Sequence, residues 1–258
     1  MGWVEAVAIL VAGVGAGAIN AVVGSGTLIT FPTLLAFGFP PVVANISNNI
    51  GLVPGGVSAT WGYRQELSGQ RSRMIMLAPM SLVGAVTGAV LLLALPAEAF
   101  VTIVPVLLVI ALVLVLVQPR MQRALAARRE RKGTNEDGGG HRVLMLGGTC
   151  LAGVYGGYFG AAQGVLLVGL LGSLLPETLQ RVNAAKNLLS LVVNFTAALT
   201  FALVAFDSIA WAVVGLIAVG SMLGGLLGAK VGRRLPDWLL RGIIVVVGVI
   251  AIWRILVS

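Results

Sequence analysis

Long apolar runs, not the short alternations of a soluble domain, set the pattern of this chain. They cover residues 3–37, 74–95, 100–117, 143–175, 188–206, 209–229 and 243–257, with polar residues gathered between them. About 20 consecutive apolar residues cross a bilayer as one helix. The pattern therefore predicts an all-α, polytopic membrane protein in which most runs are single crossings.

Fourteen of the 17 basic residues fall into three groups between these runs. Arg64, Arg71 and Arg73 form one; Arg120, Arg123, Arg128, Arg129, Arg131, Lys132 and Arg142 a second; Lys230, Arg233, Arg234 and Arg241 a third. Excess positive charge marks cytoplasmic loops, so all three belong inside. The turns near Glu98 and Asp207, which carry no basic residue, then lie outside. Residues 143–175 have both ends inside, so this run is either two short crossings or a re-entrant hairpin. The glycines at 156, 157, 160 and 164 fit a break at membrane depth. Residues 3–37, whose middle reads NAVVGSG, follow the same logic and place the N-terminus outside.

Sliding the chain on itself by 138 positions superposes Gly15 on Gly153, Gly26 on Gly164, Asn45 on Asn183, Asn49 on Asn187 and Ala59 on Ala197. The expected architecture is thus two inverted-topology repeats, each a broken or re-entrant opening hairpin followed by three transmembrane helices. The first repeat covers residues 1–118, a basic cytoplasmic linker 119–142, and the second repeat 143–258. Inverted repeats recur in secondary transporters, where interrupted helices of both halves meet around the substrate. The GAVTG at Gly84–Gly88 and GSMLG at Gly220–Gly224 have the small-xxx-small spacing of closely packed membrane helices. The alternative, two parallel four-helix repeats, places the third basic group outside.

Composition narrows the chemistry. The chain is 58% hydrophobic and 10% charged, with a mean hydropathy of +1.02, which excludes a soluble enzyme. The net charge of +8 is topological, so nucleic acid is not an expected partner. The start, MGWVEAVAIL, lacks the basic segment of a signal peptide and reads as mature sequence. One cysteine, Cys150, and one histidine, His141, supply no thiol or metal cluster. No metal or cofactor is expected. The nine carboxylates all lie in or beside predicted loops, so neither a cation relay nor acid–base catalysis is expected. Trp3, Trp61, Trp211, Trp238 and Trp253 fall near run ends and read as an interfacial belt.

Polar residues inside apolar runs are the candidate site. Asn20, Ser25 and Thr27 lie at the first break, with Asn45, Ser47, Asn48 and Asn49 on the next helix. Gln163 lies at the second break, and Asn183, Lys186, Asn187, Ser190 and Asn194 share one helical face beyond it. Amides, hydroxyls, helix N-termini and one lysine make a site suited to an anion. We take Asn20, Ser25, Thr27, Asn45, Asn48, Asn49, Gln163, Asn183, Lys186, Asn187, Ser190 and Asn194 as candidate substrate ligands. Lys186 has a competing reading, because it lies close enough to the cytoplasmic end to extend its amine to the interface.

The runs AGVGAGAINAVVGSGTLITFPTLLAFGFPP and ANISNNIGLVPGGVSATWGYRQEL, with AGVYGGYFGAAQGVLL and LQRVNAAKNLLSLVVNFTAALTFAL in the second half, resemble the TauE/SafE sulfite exporter family of bacterial membrane permeases. The resemblance spans nearly the whole chain. It implies a multi-pass protein of the bacterial inner membrane that exports sulfite or an organosulfonate such as sulfoacetate. Its partners would be a small anionic substrate and membrane lipid, and a homodimer is compatible with it. A channel, or a permease for sulfate or thiosulfate, is the alternative.

Overall fold

The computed structural model describes residues 1–131 and 140–230, together with residues 242, 245 and 246. Arg233, Arg234, Arg241, Trp238, Trp253, residues 132–139 of the linker and all but residues 245 and 246 of the run 243–257 lie outside the described residues. Among the described residues ten α-helices follow one another: α1 Trp3–Val22, α2 Thr27–Ala36, α3 Pro41–Gly62, α4 Arg64–Leu67, α5 Arg71–Ala94, α6 Ala97–Arg131, α7 Gly140–Tyr158, α8 Gln163–Leu174, α9 Leu179–Val204 and α10 Trp211–Lys230. A single 3-10 turn, Phe206–Ser208, joins α9 to α10.

Of these helices, α1, α5, α6, α9 and α10 are long and apolar enough to cross a membrane. At 1.5 Å per residue, α2 and α8 are roughly half-spans. Each follows a short break, at residues 23–26 and 159–162. Both runs read as interrupted from sequence are therefore interrupted in the structure. Trp3, Trp61 and Trp211 are exposed, as are many valines and leucines of α5, α6 and α10, which is the surface a lipid-facing bundle presents.

Lipid is as apolar as leucine, so helices in a bilayer associate through close packing rather than through exclusion of water. Both small-residue motifs serve this. A side chain on Gly84 or Gly88 would meet the α7 backbone at Cys150 and Val154, and one on Gly220 or Gly224 would meet the α1 backbone at Leu10 and Val14. Residue numbers rise together along both contacts, so α5 runs parallel to α7 and α10 parallel to α1. The order Gly51 on Ile217, Gly55 on Ser221 and Gly62 on Ala229 makes α3 parallel to α10 as well. In contrast α3 and α9 run antiparallel. The hydroxyl of Ser47 accepts from Ala210 N, just beyond α9, at 2.9 Å, Gly56 faces Leu191, and Tyr63 clusters with Ala184 near the start of α9.

The two ends of the bundle differ. At one, Glu177 between α8 and α9 accepts from Arg73 of α5 at 3.0 Å and from Arg181 of α9 at 2.5 Å. Gln70 Nε2 donates to the Arg181 carbonyl at 3.0 Å, and Arg181 donates to Ser68 O at 3.1 Å. At the other end a cavity of about 470 Å³ is lined by Glu5, Phe37, Phe39 and Trp211, among others. Below that end, Phe31 of α2 meets Phe159 and Phe100 edge-on, with centroids 5.2 and 6.5 Å apart. These rings fix the first half-helix against the second break.

Candidate functional site

The two breaks are built alike. The N–H groups of Val23 and Gly24 both donate to Ile19 O, and Gly24 adopts φ +89°. Phe159 and Gly160 donate to Tyr155 O, and Gly160 adopts φ +76°. Each is a helix C-terminus closed by a left-handed glycine, the residue that takes this backbone without strain. Three residues on, α2 and α8 begin, and neither has a side-chain cap at its N-terminus.

These breaks touch. Gly164 N donates to Gly24 O at 3.1 Å, and a Cβ on either residue would collide with the backbone of the other. The Lys186 chain runs beside the junction. Among the described residues Lys186 is the only charged side chain that is buried, and its Nζ donates to Asn20 O at 2.9 Å and Ala21 O at 3.2 Å. Asn187 Nδ2 also donates to Ala21 O, at 3.2 Å. The lysine does not extend to the interface. It neutralises the negative end of α1, whose last carbonyls lack helical partners.

A matching contact holds the other break. Asn45 of α3 donates to Tyr158 O, the last residue of α7, at 2.9 Å. Thus each asparagine-bearing helix closes the C-terminus of the broken helix in the other half. Asn48 reaches the start of α2 instead, donating to Thr27 Oγ1 at 3.1 Å and accepting from Thr30.

Of the twelve candidate ligands, Asn20 and Asn194 are half-buried and the other ten are buried. Lys186, Asn187, Asn45, Asn48 and Thr27 are joined to break or half-helix groups as described. Among the described residues Ser25 Oγ, Asn49 Oδ1, Gln163 Nε2, Asn183 Oδ1, Ser190 Oγ and the second amide atom of Asn45, Oδ1, have no hydrogen-bond partner. Such bare polar atoms are rare in folded chains and call for a ligand or water. Ser47, which was grouped with the asparagines of α3, instead ties α3 to the start of α10. Cys150 is half-buried.

Sequence reasoning missed two residues. Thr30 lies one turn beyond Thr27, a spacing that was there to read. Gln118 of α6, 1% exposed, donates from Nε2 to Val23 O at 3.3 Å. It directly follows the apolar run 100–117, where it looks like the first residue of a polar loop. Among the described residues no group of three or more His, Cys, Asp or Glu side chains could hold a metal ion.

A multi-pass bundle whose polar groups converge on two helix breaks has the architecture of a secondary transporter, and comparison with known proteins points to a membrane transporter. The sequence model of the sulfite exporter TauE/SafE family matches residues 9–255. The chain belongs to this TauE/SafE family and is a multi-pass bacterial membrane protein. It is 28% identical to the probable membrane transporter protein YfcA of Escherichia coli K12 over 236 residues, covering 91% of this chain and 83% of that one. A probable membrane transporter protein of Haemophilus influenzae is 28% identical over 237 residues, 88% of this chain and 85% of its own. The probable membrane transporter protein ORF9 of a Sinorhizobium species is 26% identical over 241 residues, 93% and 88% of the two chains. No solved structure gives a significant match.

Proposed function

We propose that this protein is a secondary transporter that exports a small sulfur-containing anion, sulfite or an organosulfonate such as sulfoacetate, by alternating access. Two inverted repeats, 1–118 and 143–258, flank the basic cytoplasmic linker 119–142. The opposed directions of α3 and α9, and of the parallel sets α1–α3–α10 and α5–α7–α9 to which their contacts assign them, support the inverted arrangement. The observation that carries the reading is the meeting of the two breaks at Gly24 and Gly164 beside buried Lys186.

The anion binds where the breaks part. Two uncapped half-helix N-termini offer N–H groups and positive dipole ends. Ser25, Thr27, Gln163 and Ser190 add donors, with Asn49, Asn183 and Asn194 around them. Lys186 supplies the charge. Its bond to the end of α1 then doubles as a sensor, because an anion competing for the amine loosens the helix on which the first break hangs. The family name supports sulfite, while the residues themselves ask only for a small anion rich in oxygen.

The test is counterflow of ³⁵S-labelled sulfite in liposomes containing the purified protein, with sulfoacetate, sulfate and thiosulfate as competitors. Saturable counterflow competed by sulfoacetate is expected, and both Lys186→Ala and Asn187→Ala should abolish it. Wild-type flux in both variants removes these residues from the site. Flux that neither saturates nor shows counterflow favours the channel.

A further inference from the structure

Helix α6 carries no polar side chain from Ile103 to Val117. Gln118 ends that stretch and is almost completely buried. Its Nε2 donates to Val23 O, and the next residue, Gly24, carries the bond between the two breaks. A main-chain carbonyl only accepts, so the amide must turn its nitrogen toward Val23, which fixes the oxygen on the other side. Among the described residues that oxygen, Oε1, has no partner. The second break repeats the arrangement: Asn45 Nδ2 is held by Tyr158 O, and Asn45 Oδ1 is bare and buried.

Each break thus has beside it a pinned amide with a fixed acceptor. A bare acceptor disfavours a fully ionised oxyanion, since lone pairs would face each other, and favours one that still carries a hydrogen to donate. We propose that sulfite is carried as the singly protonated oxyanion, hydrogensulfite, and that Gln118 is the specificity residue that accepts its hydrogen in a hydrogen bond and so favours it over an organosulfonate, which has no such hydrogen to donate. Lys186 and the half-helix N-termini face its ionised oxygens. The proton travels on the substrate, one net negative charge moves with each anion, and no carboxylate in the membrane has to carry it. This rests on the anion-transport reading above and extends it to the protonation state.

The experiment is sulfite counterflow in liposomes at equal internal and external pH, from mildly acid to mildly alkaline, a range over which sulfite exchanges one proton. For the wild-type protein KM in total sulfite should rise with pH while KM in the monoanion stays constant. Gln118→Met keeps the length and loses the acceptor, so its KM at acid pH should rise about tenfold and should no longer follow the monoanion. Gln118→Asn, which keeps both amide groups one methylene shorter, should recover part of the affinity and the pH dependence. A wild-type KM that follows the dianion overturns the proposal. So does a Gln118→Met protein that changes only in yield or maximal rate, with KM and its pH profile intact, because that is what a purely structural role predicts. If the wild-type protein moves no sulfur oxyanion at any pH, the parent reading falls too, and the wild-type measurement alone shows it.

Discussion

Gly24 and Gly164 leave no room for a side chain where the two breaks meet. Gly24 needs a left-handed backbone that costs an L-residue roughly 1–2 kcal/mol, and its Cα lies where a side chain on Gly164 would go. Gly164 has no such backbone strain, since it lies in the first turn of α8, yet its contact is equally close. Gly164→Ala therefore separates contact from conformation. Both Gly24→Ala and Gly164→Ala should cut counterflow by at least tenfold, with Gly24→Ala also less stable to heat in detergent. Near-normal transport by Gly164→Ala would mean that the breaks need not meet during the cycle. Lys186 obeys a different logic. Because it closes the end of α1, Lys186→Ala should lower stability as well as flux, by about 3–5 kcal/mol or less when a buried partner is removed. Lys186→Arg keeps charge but not shape, and should retain folding better than transport.

At the scale of elements, the sequence showed where helices break but not what they pack against. The runs 3–37 and 143–175 were legible as interrupted because glycine and polar residues fall at their centres. The small-residue motifs were legible as contact surfaces, yet nothing in them named α7 as the partner of α5 or α1 as the partner of α10; partner choice depends on surfaces far apart in the chain. The asparagines were legible as a polar face, but an amide looks the same in sequence whether it binds substrate or caps a helix. Asn45, Lys186 and Asn187 prove to touch main-chain carbonyls, and Gln118 was hidden by its place at the end of an apolar run.

The clamp between α5 and α9 was equally illegible, since Arg73 and Glu177 lie 104 positions apart. Burial pushes the Glu177 carboxyl up, but the hydrogen bonds and charges of Arg181 and Arg73 outweigh it and hold the group below the usual carboxylate range. A depressed carboxylate stabilises the fold above its unfolded pKa, and this contribution is lost as pH falls through the lowered folded value. Glu177→Gln should lower neutral-pH stability by about 1 kcal/mol or less, as partly exposed ion pairs do. It should also flatten the loss of stability on acidification. Thermal unfolding in detergent at neutral and acid pH measures both, and identical pH profiles for the two proteins would show that the clamp carries no net stabilisation.

For the whole molecule the decisive quantity is the sense in which each half crosses the membrane. Met1, Glu5, Phe37, Phe39 and the start of α10 line one cavity, so they share an end of the bundle with the turn at Asp207. Gly69, Arg73 and Glu177 share the other. The parallel course of α5 and α7 puts the start of α7 at that second end, opposite the start of α1, as the proposed inverted repeats require. On the positive-inside rule we expect the Arg64–Arg71–Arg73 group in the cytoplasm and, with it, the N-terminus outside. Single cysteines at Gly2, Gly69 and Asp207, in a Cys150→Ser background, turn this into a measurement. A membrane-impermeant thiol reagent applied to intact cells should label positions 2 and 207 and leave 69 unlabelled until the cells are opened. Labelling of 69 together with 207 would place both ends of the bundle on one side, and the two breaks could not serve a path with alternating openings. Labelling of 69 alone would preserve the inverted arrangement but turn the whole protein over, contrary to its own charge distribution, with the Arg73–Glu177–Arg181 clamp closing the outer face instead of the inner one.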